Sequence, residues 1–541
     1  MEKPLLSNVN QPEDIKKLSK DELVELCREI RECIIEIIPA VGGHFASSLG
    51  VVELTVAMHY LYDSPEDKFL FDVGHQGYVH KILTGRKEEL KSIRQFGGIS
   101  GFLKREESPH DSFGAGHAST SISAALGIAK ARDVLGKDFR VVAVIGDGGM
   151  TGGLAYEGLN NAGELKTDIT VILNDNHMSI SKNVGAISRY LVNVVTNPFY
   201  QKLRASIWEL TGKMPKSDTI RTLAHKMEDS FKSLIIPGML FEDLGFKYYG
   251  PVDGHNISEV INVLSKVKNL PGPQLVHFLT QKGKGCDYAE HDPIKYHGVK
   301  APKKSPEGAQ EQVYAYTEVF GKTITEIAEK NPKICVITPA MCEGSGLNEY
   351  SEKFPERFFD VGIAEGHAVT FAAGLATEDI KPVVAIYSTF LQRAFDHVLH
   401  DVCLQKLPVV FAIDRAGVVG EDGPTHHGCM DLSYLNCIPG IVIAAPKDGK
   451  ELRDLLYTGI YYDSGPFAIR YPRDHAPAIN WDPNLKKIEV GTWEKLTEGG
   501  DVLVLAVGSM VCPSLEAAET LKSSGIKVEV VNARFVKPLD E

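Results

Sequence analysis

Residues 140–148, RVVAVIGDG, and residues 169–176, ITVILNDN, decide how this chain folds. Each is a short apolar run rich in β-branched side chains, the pattern of a strand buried on both faces. At the end of the first, Gly146-Asp147-Gly148 lets the backbone turn sharply and bring main-chain N–H groups close to a phosphate. Asn174-Asp175-Asn176 closes the second. Asp147 and Asn176 can therefore point oxygens into one crevice at the carboxyl edge of a sheet, where open α/β folds bind ligands. One carboxylate, one amide oxygen and a backbone carbonyl suit Mg²⁺ that is also held by phosphate oxygens. Asp-Gly after a strand is equally an ordinary turn, and on this stretch alone both readings stand.

The same alternation extends in both directions. A capping box, Ser19 with Glu22, opens a helix whose apolar residues recur from Leu23 to Ile37, and Pro39 is expected to stop it. LVHFL (275–279) adds a strand, and Thr120 to Val134 and Ser258 to Val267 are helical in spacing. Residues 300–312, KAPKKSPEGAQEQ, lack large apolar side chains and form an expected linker. Strands then restart at ICVIT (334–338), PVVAIY (382–387), PVVFAI (408–413), IVIAA (441–445) and FAIRY (467–471). A last set holds DVLVLAVGS (501–509), a helix at Leu515 to Leu521 and KVEVVNAR (527–534). The expected fold class is α/β: two domains with mainly parallel sheets covered by helices, plus a truncated third α/β domain. The expected boundaries are 1–299, with an irregular excursion at 183–235, then 313–485 and 490–541.

Composition narrows the partners. The formal charge of −13 argues against a nucleic-acid surface, which needs a basic face. No apolar run approaches the length of a membrane span. Nine scattered cysteines without a C-x-x-C pair suggest reduced thiols, hence a cytoplasmic protein without a disulfide framework or zinc site. His44, His75, His117 and His426 all lie in glycine-flanked loops, where imidazole is the natural proton carrier at neutral pH. Arg415 and Arg473 follow strands, and guanidinium forks match phosphate oxygens as readily as they make surface ion pairs.

GDG followed by 27 residues and Asn resembles the diphosphate-binding signature of thiamine-diphosphate enzymes. GGHFASSLG (42–50), DVGHQGYVHKILTGR (72–86), GHASTS (116–121), GPVDGH (250–255), YSTFLQRAFDHVLHD (387–401), DRAGVVGEDGPTHHG (414–428) and NARFVKPLDE (532–541) are similar, in order, to the 1-deoxy-D-xylulose-5-phosphate synthase family. The resemblance implies two thiamine-diphosphate-binding domains serving one site from the same chain. It implies Mg²⁺ held by Asp147, Asn176 and the carbonyl of Met178, with Gly148 and Gly149 beside the diphosphate. His75, Gly116, His117 and Ala118 would line the cofactor, Phe390 would stack on its pyrimidine and Glu365 would meet N1′. His44 and His426 would move protons at the reacting carbonyl oxygens. Tyr387, Arg415 and Arg473 would hold the acceptor phosphate and Asp422 an acceptor hydroxyl. The implied reaction joins pyruvate and D-glyceraldehyde 3-phosphate in a homodimer.

Some positions depart from the family pattern. Gly366 stands where glutamine is usual, Ala118 where serine is, Gly149 where alanine is common, and Cys286 where a tyrosine commonly flanks the cofactor. A transketolase-type ketol transfer is the neighbouring reading, against which segments 72–86 and 387–401 argue. A non-catalytic paralogue would bind thiamine diphosphate without turnover.

Overall fold

The computed structural model describes residues 3–176, 185–196, 239–302, 314–477, 481–482 and 484–541. They form two units, Met1–Pro302 and Lys303–Glu541.

In the first unit, helix α1 (Lys20–Val41) starts at Ser19, whose hydroxyl accepts from the Glu22 amide while the Glu22 carboxylate accepts from the Ser19 amide. The expectation that Pro39 stops this helix fails. Proline forfeits one hydrogen bond, tolerable in a last turn, and the helix runs on to Gly42, whose φ of 85° ends it. Helix α2 (Val52–Leu61) follows. Strands β1 (Lys68–Phe71), β2 (Val141–Gly146), β3 (Thr170–Asp175), β4 (Lys247–Asp253) and β5 (Gln274–Leu279) make a parallel sheet ordered β1-β2-β3-β5-β4. Helices α3 (Ser121–Val134) and α4 (Gly153–Glu164) belong to one apolar core with Ala143, Ile145 and Leu173; α5 (Ile257–Val267) belongs to another with Val142, Val144 and Ile172. Odd and even strand residues thus enter different cores, as period two requires. Of the expected excursion, Ala186–Thr196 is helical, and the rest lies largely outside the described residues, as do Met178 and nearly all of the expected linker.

The second unit is built on β6 (Ile334–Thr338), β7 (Phe358–Asp360), β8 (Lys381–Tyr387), β9 (Val410–Asp414), β10 (Val442–Ala444) and β11 (Phe467–Arg470), all mutually parallel. Helices α6 (Tyr316–Lys330), α7 (Glu365–Ala376) and α8 (Gly449–Ile460) contribute to its two cores. A small sheet follows: β12 (Glu494–Lys495), β13 (Val502–Ala506) and β14 (Val528–Asn532), with helix α9 (Val511–Lys522). KVEVVNAR continues into β15 (Phe535–Lys537), which leaves that sheet and pairs antiparallel with β10, completing the seven-stranded order β15-β10-β11-β9-β8-β6-β7.

Candidate active site

In the first unit, β2 and β3 pair from Val142↔Thr170 to Gly146↔Asn174, so Asp147 and Asn176 emerge from adjacent strand ends. Asp147 is buried, and its amide donates to the Asn174 carbonyl at 3.4 Å. The first two residues of Asn-Asp-Asn are engaged toward β5: Asn174 Oδ1 accepts from the Thr280 hydroxyl at 2.6 Å, and Asp175 meets His277 Nε2 at 2.9 Å. Asn176 follows them, half-buried.

Asp72, just past β1, organises the neighbouring loop. Its buried carboxylate accepts from the amides of Ser119 at 2.8 Å and Ser121 at 3.1 Å. The Ser119 hydroxyl donates to the Gly149 carbonyl at 2.7 Å. Gly116, His117 and Ala118 are thereby tied to Gly148 and Gly149. A Cβ on Gly149 would lie 2.7 Å from Asp72 Oδ1, so here glycine keeps the carboxylate seated.

His44 and His75 meet edge-to-face with ring centroids 6.1 Å apart, and the Ser48 hydroxyl lies 3.1 and 3.3 Å from their carbonyl oxygens. The structure adds His297, which the sequence analysis passed over, at 5.9 Å from His44 and 5.4 Å from His75. Residues 298–299 pair antiparallel with residues 43–44, and the carbonyls of Tyr296 and His297 accept from Ala46 and Phe45. A signal existed: His297 precedes Gly298, in the glycine-flanked pattern of the other loop histidines. Burial, reinforced by Lys282 and the neighbouring imidazoles, holds His75 and His297 well below the ordinary histidine value, so both are neutral at pH 7. Their Nδ1 atoms are buried without hydrogen-bond partners among the described residues. Burial also brings Lys282 down to about 8 against the opposing pull of Asp147. Cys286 is buried in the same strap, residues 281–299, where Tyr288 stacks on Phe45 at 6.0 Å.

The GPVDGH motif anchors this strap. The Gln281 amide donates to His255 Nε2 at 2.8 Å, and His255 Nδ1 lies 3.1 Å from Glu53. Arg31 grips Glu53 through two nitrogens at 2.6 and 2.5 Å and donates Nε–H to the Lys284 carbonyl.

In the second unit Glu365 is the first residue of α7, 3% exposed, with Arg393 Nη1 at 3.3 Å from its Oε2. An arginine thus shares the surroundings of this buried carboxylate. Tyr387 ends β8 and stacks on Phe390 at 5.7 Å, and Phe390 meets the His426 ring edge-to-face at 5.4 Å. The two adjacent histidines divide: His426 Nδ1 lies 3.0 Å from the Thr425 hydroxyl, while His427 Nδ1 accepts the Val419 amide and pins the loop. Reciprocal backbone bonds between Gly417 and Gly428 close that loop. Arg415 lies over the Tyr387 ring, 4.0 Å from its centroid, and is bound by Asp414 and the Gly344 carbonyl. Burial pushes Tyr387 up to about 12, so it is a phenol. Arg473 reaches Asp422 at 3.1 Å and Glu421 at 3.3 Å. Tyr387, Phe390, His426 and Arg415 are therefore one cluster, and Arg473 and Asp422 a contacting pair. The nine cysteines are free thiols. Among the described residues no cluster of three acidic, histidine or cysteine side chains forms a metal cage, and no helix is long and apolar enough to cross a membrane.

Two parallel α/β units with these strand-end loops have the transketolase-like architecture: residues 312–478 match the transketolase pyrimidine-binding domain and residues 491–541 the transketolase C-terminal domain. Residues 6–280 match the family described as 1-deoxy-D-xylulose-5-phosphate synthase. Over 99% of its length the chain is 53% identical to the 1-deoxy-D-xylulose-5-phosphate synthase of Carboxydothermus hydrogenoformans and 55% identical to that of Aquifex aeolicus, covering 86% of each. A solved transketolase from Campylobacter jejuni is 20% identical, with 96% of this chain and 89% of that one covered and a TM-score of 0.40. The chain belongs to the 1-deoxy-D-xylulose-5-phosphate synthase family.

Proposed function

We propose that this chain condenses pyruvate with D-glyceraldehyde 3-phosphate, releasing CO₂ and giving 1-deoxy-D-xylulose 5-phosphate, with thiamine diphosphate and Mg²⁺ as cofactors. The observation that carries this reading is the family match along nearly the whole chain, with the residues expected of such a site present in it.

The residues fit the cofactor. Asp147 and Asn176 offer the hard oxygen donors that Mg²⁺ prefers, from adjacent strand ends. Gly149 sits where a Cβ would collide with the Asp72 carboxylate, and through Asp72 and Ser119 the 116–119 loop is held beside the turn after β2, where glycine backbone can approach a diphosphate. His75 and His297 carry buried nitrogens without partners among the described residues, as a site awaiting a polar ligand would. When bound, thiamine diphosphate supplies the electron sink for breaking and making bonds beside a carbonyl.

This chain's side chains do the rest. Asp147, Asn176 and the Met178 carbonyl would hold the metal, and Gly116, His117, Ala118, Gly148 and Gly149 the diphosphate. Glu365 would hold a proton at N1′, with Arg393 fixing its carboxylate, and Phe390 would support the pyrimidine face. Neutral His75 would line the cofactor. His44 and His426 would carry protons to and from the substrate oxygens. Arg415 and Arg473 would take the acceptor phosphate, Arg473 exchanging carboxylate partners for phosphate oxygens, while Tyr387 donates as a phenol and Asp422 receives an acceptor hydroxyl. Assembly as a homodimer and residence in the cytoplasm belong to the same proposal.

The test is product identification from pyruvate and glyceraldehyde 3-phosphate, with thiamine diphosphate and Mg²⁺ each supplied or withheld. 1-Deoxy-D-xylulose 5-phosphate and stoichiometric CO₂ are expected only when both are present. Ketol transfer from a phosphoketose donor without CO₂ would identify a transketolase instead, and cofactor binding with neither product a non-catalytic chain.

A further inference from the structure

The glycine after Glu365 has a specific neighbour. A Cβ placed on Gly366 would stand 2.8 Å from Cε1 and 2.9 Å from Nε2 of His397, closer than real Cβ contacts come. The imidazole therefore lies against the bare Cα in the first turn of α7. His397 is the middle of three residues at helical spacing on the segment packed along α7. Four residues before it, Arg393 meets Glu365; four residues after it, Asp401 accepts from the Thr370 hydroxyl. The His397 ring is half-buried, and its Nδ1 is buried without a hydrogen-bond partner among the described residues. Among the described residues no hydrogen bond orients the ring through that nitrogen, and Gly366 lies close against its Cε1–Nε2 edge.

We infer that His397 is a positioning residue for Glu365: its ring, admitted by the absence of a side chain at 366, sets the first turn of α7 and the Arg393–Glu365 contact. The role given to Glu365 rests on the proposed function, but the packing does not. The ring can leave its seat when a side chain grows at 366, and Arg393 and Asp401 on either side then lose their register with α7. Positions 366 and 397 form one unit, in which bulk at one requires space at the other.

The experiment compares the wild-type chain with Gly366→Gln, His397→Ala and the double variant. Three quantities are read: melting temperature without cofactor, thiamine diphosphate affinity in the presence of Mg²⁺, and hydrogen–deuterium exchange at C2 of the bound cofactor. Gly366→Gln should slow exchange by about tenfold or more, the scale of overpacking in a tight contact, with cofactor affinity within about threefold because the diphosphate grip is untouched. Removing the imidazole from that variant should restore most of the exchange rate, and the melting temperatures should show the same non-additive pattern. A double variant that behaves as the two single changes combined, or a Gly366→Gln chain matching wild type in exchange and melting, would overturn the inference. Should Gly366→Gln fail to fold, Gly366→Ala adds the colliding carbon alone and is judged by the same criteria. A wild-type chain that binds no thiamine diphosphate would sink the proposed function, and the melting data would then decide the packing unit by themselves.

Discussion

Glu365 and Arg473 separate two kinds of contribution that a single side chain can make. Glu365 touches the proposed chemistry, while Arg473, with its carboxylate partners, is poised to greet a phosphate. Replacing Glu365 with alanine should leave Mg²⁺-dependent binding of thiamine diphosphate largely intact and slow C2 proton exchange by roughly 100-fold or more; exchange at the wild-type rate would remove Glu365 from its role. Replacing Arg473 with alanine should cost about 1.5–3 kcal/mol of acceptor recognition, the worth of a charge-assisted hydrogen bond, as a raised KM for glyceraldehyde 3-phosphate. The pyruvate KM should barely move, and equal changes in both would reject the phosphate assignment. Gly149 makes a structural counterpart. A methyl group there meets Asp72 Oδ1 at 2.7 Å, so Gly149→Ala should cost about 1–3 kcal/mol of stability, read in a urea titration. A neutral substitution would mean that the 116–119 loop moves with Asp72.

At the scale of elements, the turn that follows His75 is held by a buried network. His59 Nε2 lies 2.9 Å from His80 Nδ1, His80 Nε2 lies 3.2 Å from Asp111, and Arg86 grips Asp111 through two nitrogens. Burial holds His59 well below the ordinary imidazole value, and more moderately His80. Against the cost of its own burial, hydrogen bonds from His80 and Arg86 hold Asp111 far below the usual carboxylate range. Both signs agree. An imidazole depressed in the fold binds its proton more readily when unfolded, so its contribution is whole above about pH 6.5 and falls by about 1.4 kcal/mol per pH unit below it. The Asp111 contribution is present above about pH 4 and is lost as the pH falls further. Unfolding free energy measured between pH 7.5 and 5.5 should therefore decline, and His59→Phe should flatten the decline. Parallel curves for the two chains would show that His59 is not the titrating group. Elements are also where sequence reading was strongest. ICVIT is the strand Ile334–Thr338 to the residue, because an uninterrupted apolar run between polar ends has no other place to go. Pro39 misled because a helix breaker acts through the hydrogen bond it removes, and near a helix end little is lost.

The whole molecule shows what a linear pattern cannot carry. The Asp147/Asn176 placement could be read because strand order and strand ends are local facts. His297 reaches His44 only because residues 281–299 fold back across the unit, and no spacing along the chain records that. The fit of His397 to Gly366 is likewise invisible until two segments distant along the chain lie side by side. Phe535 is the clearest case: KVEVVNAR and the residues after it read as one late domain, yet Phe535 is fully buried in a core of the preceding one. Phe535→Ala should therefore destabilise the second unit by about 3–5 kcal/mol, read as a lowered unfolding midpoint in calorimetry. A loss confined to β12–β14, with the larger sheet unaffected, would contradict that integration.

One imidazole that anchors the strap, His255, can report on its fastening without any ligand. Because the Gln281 amide aims its hydrogen at Nε2 of His255, the ring must carry its own hydrogen on Nδ1, toward Glu53. A histidine locked in its rarer tautomer has a ¹⁵N spectrum of its own. That signal turns the fastening of residues 281–285 into a resonance that can be watched, and its collapse to the common form would mark the moment the strap lets go.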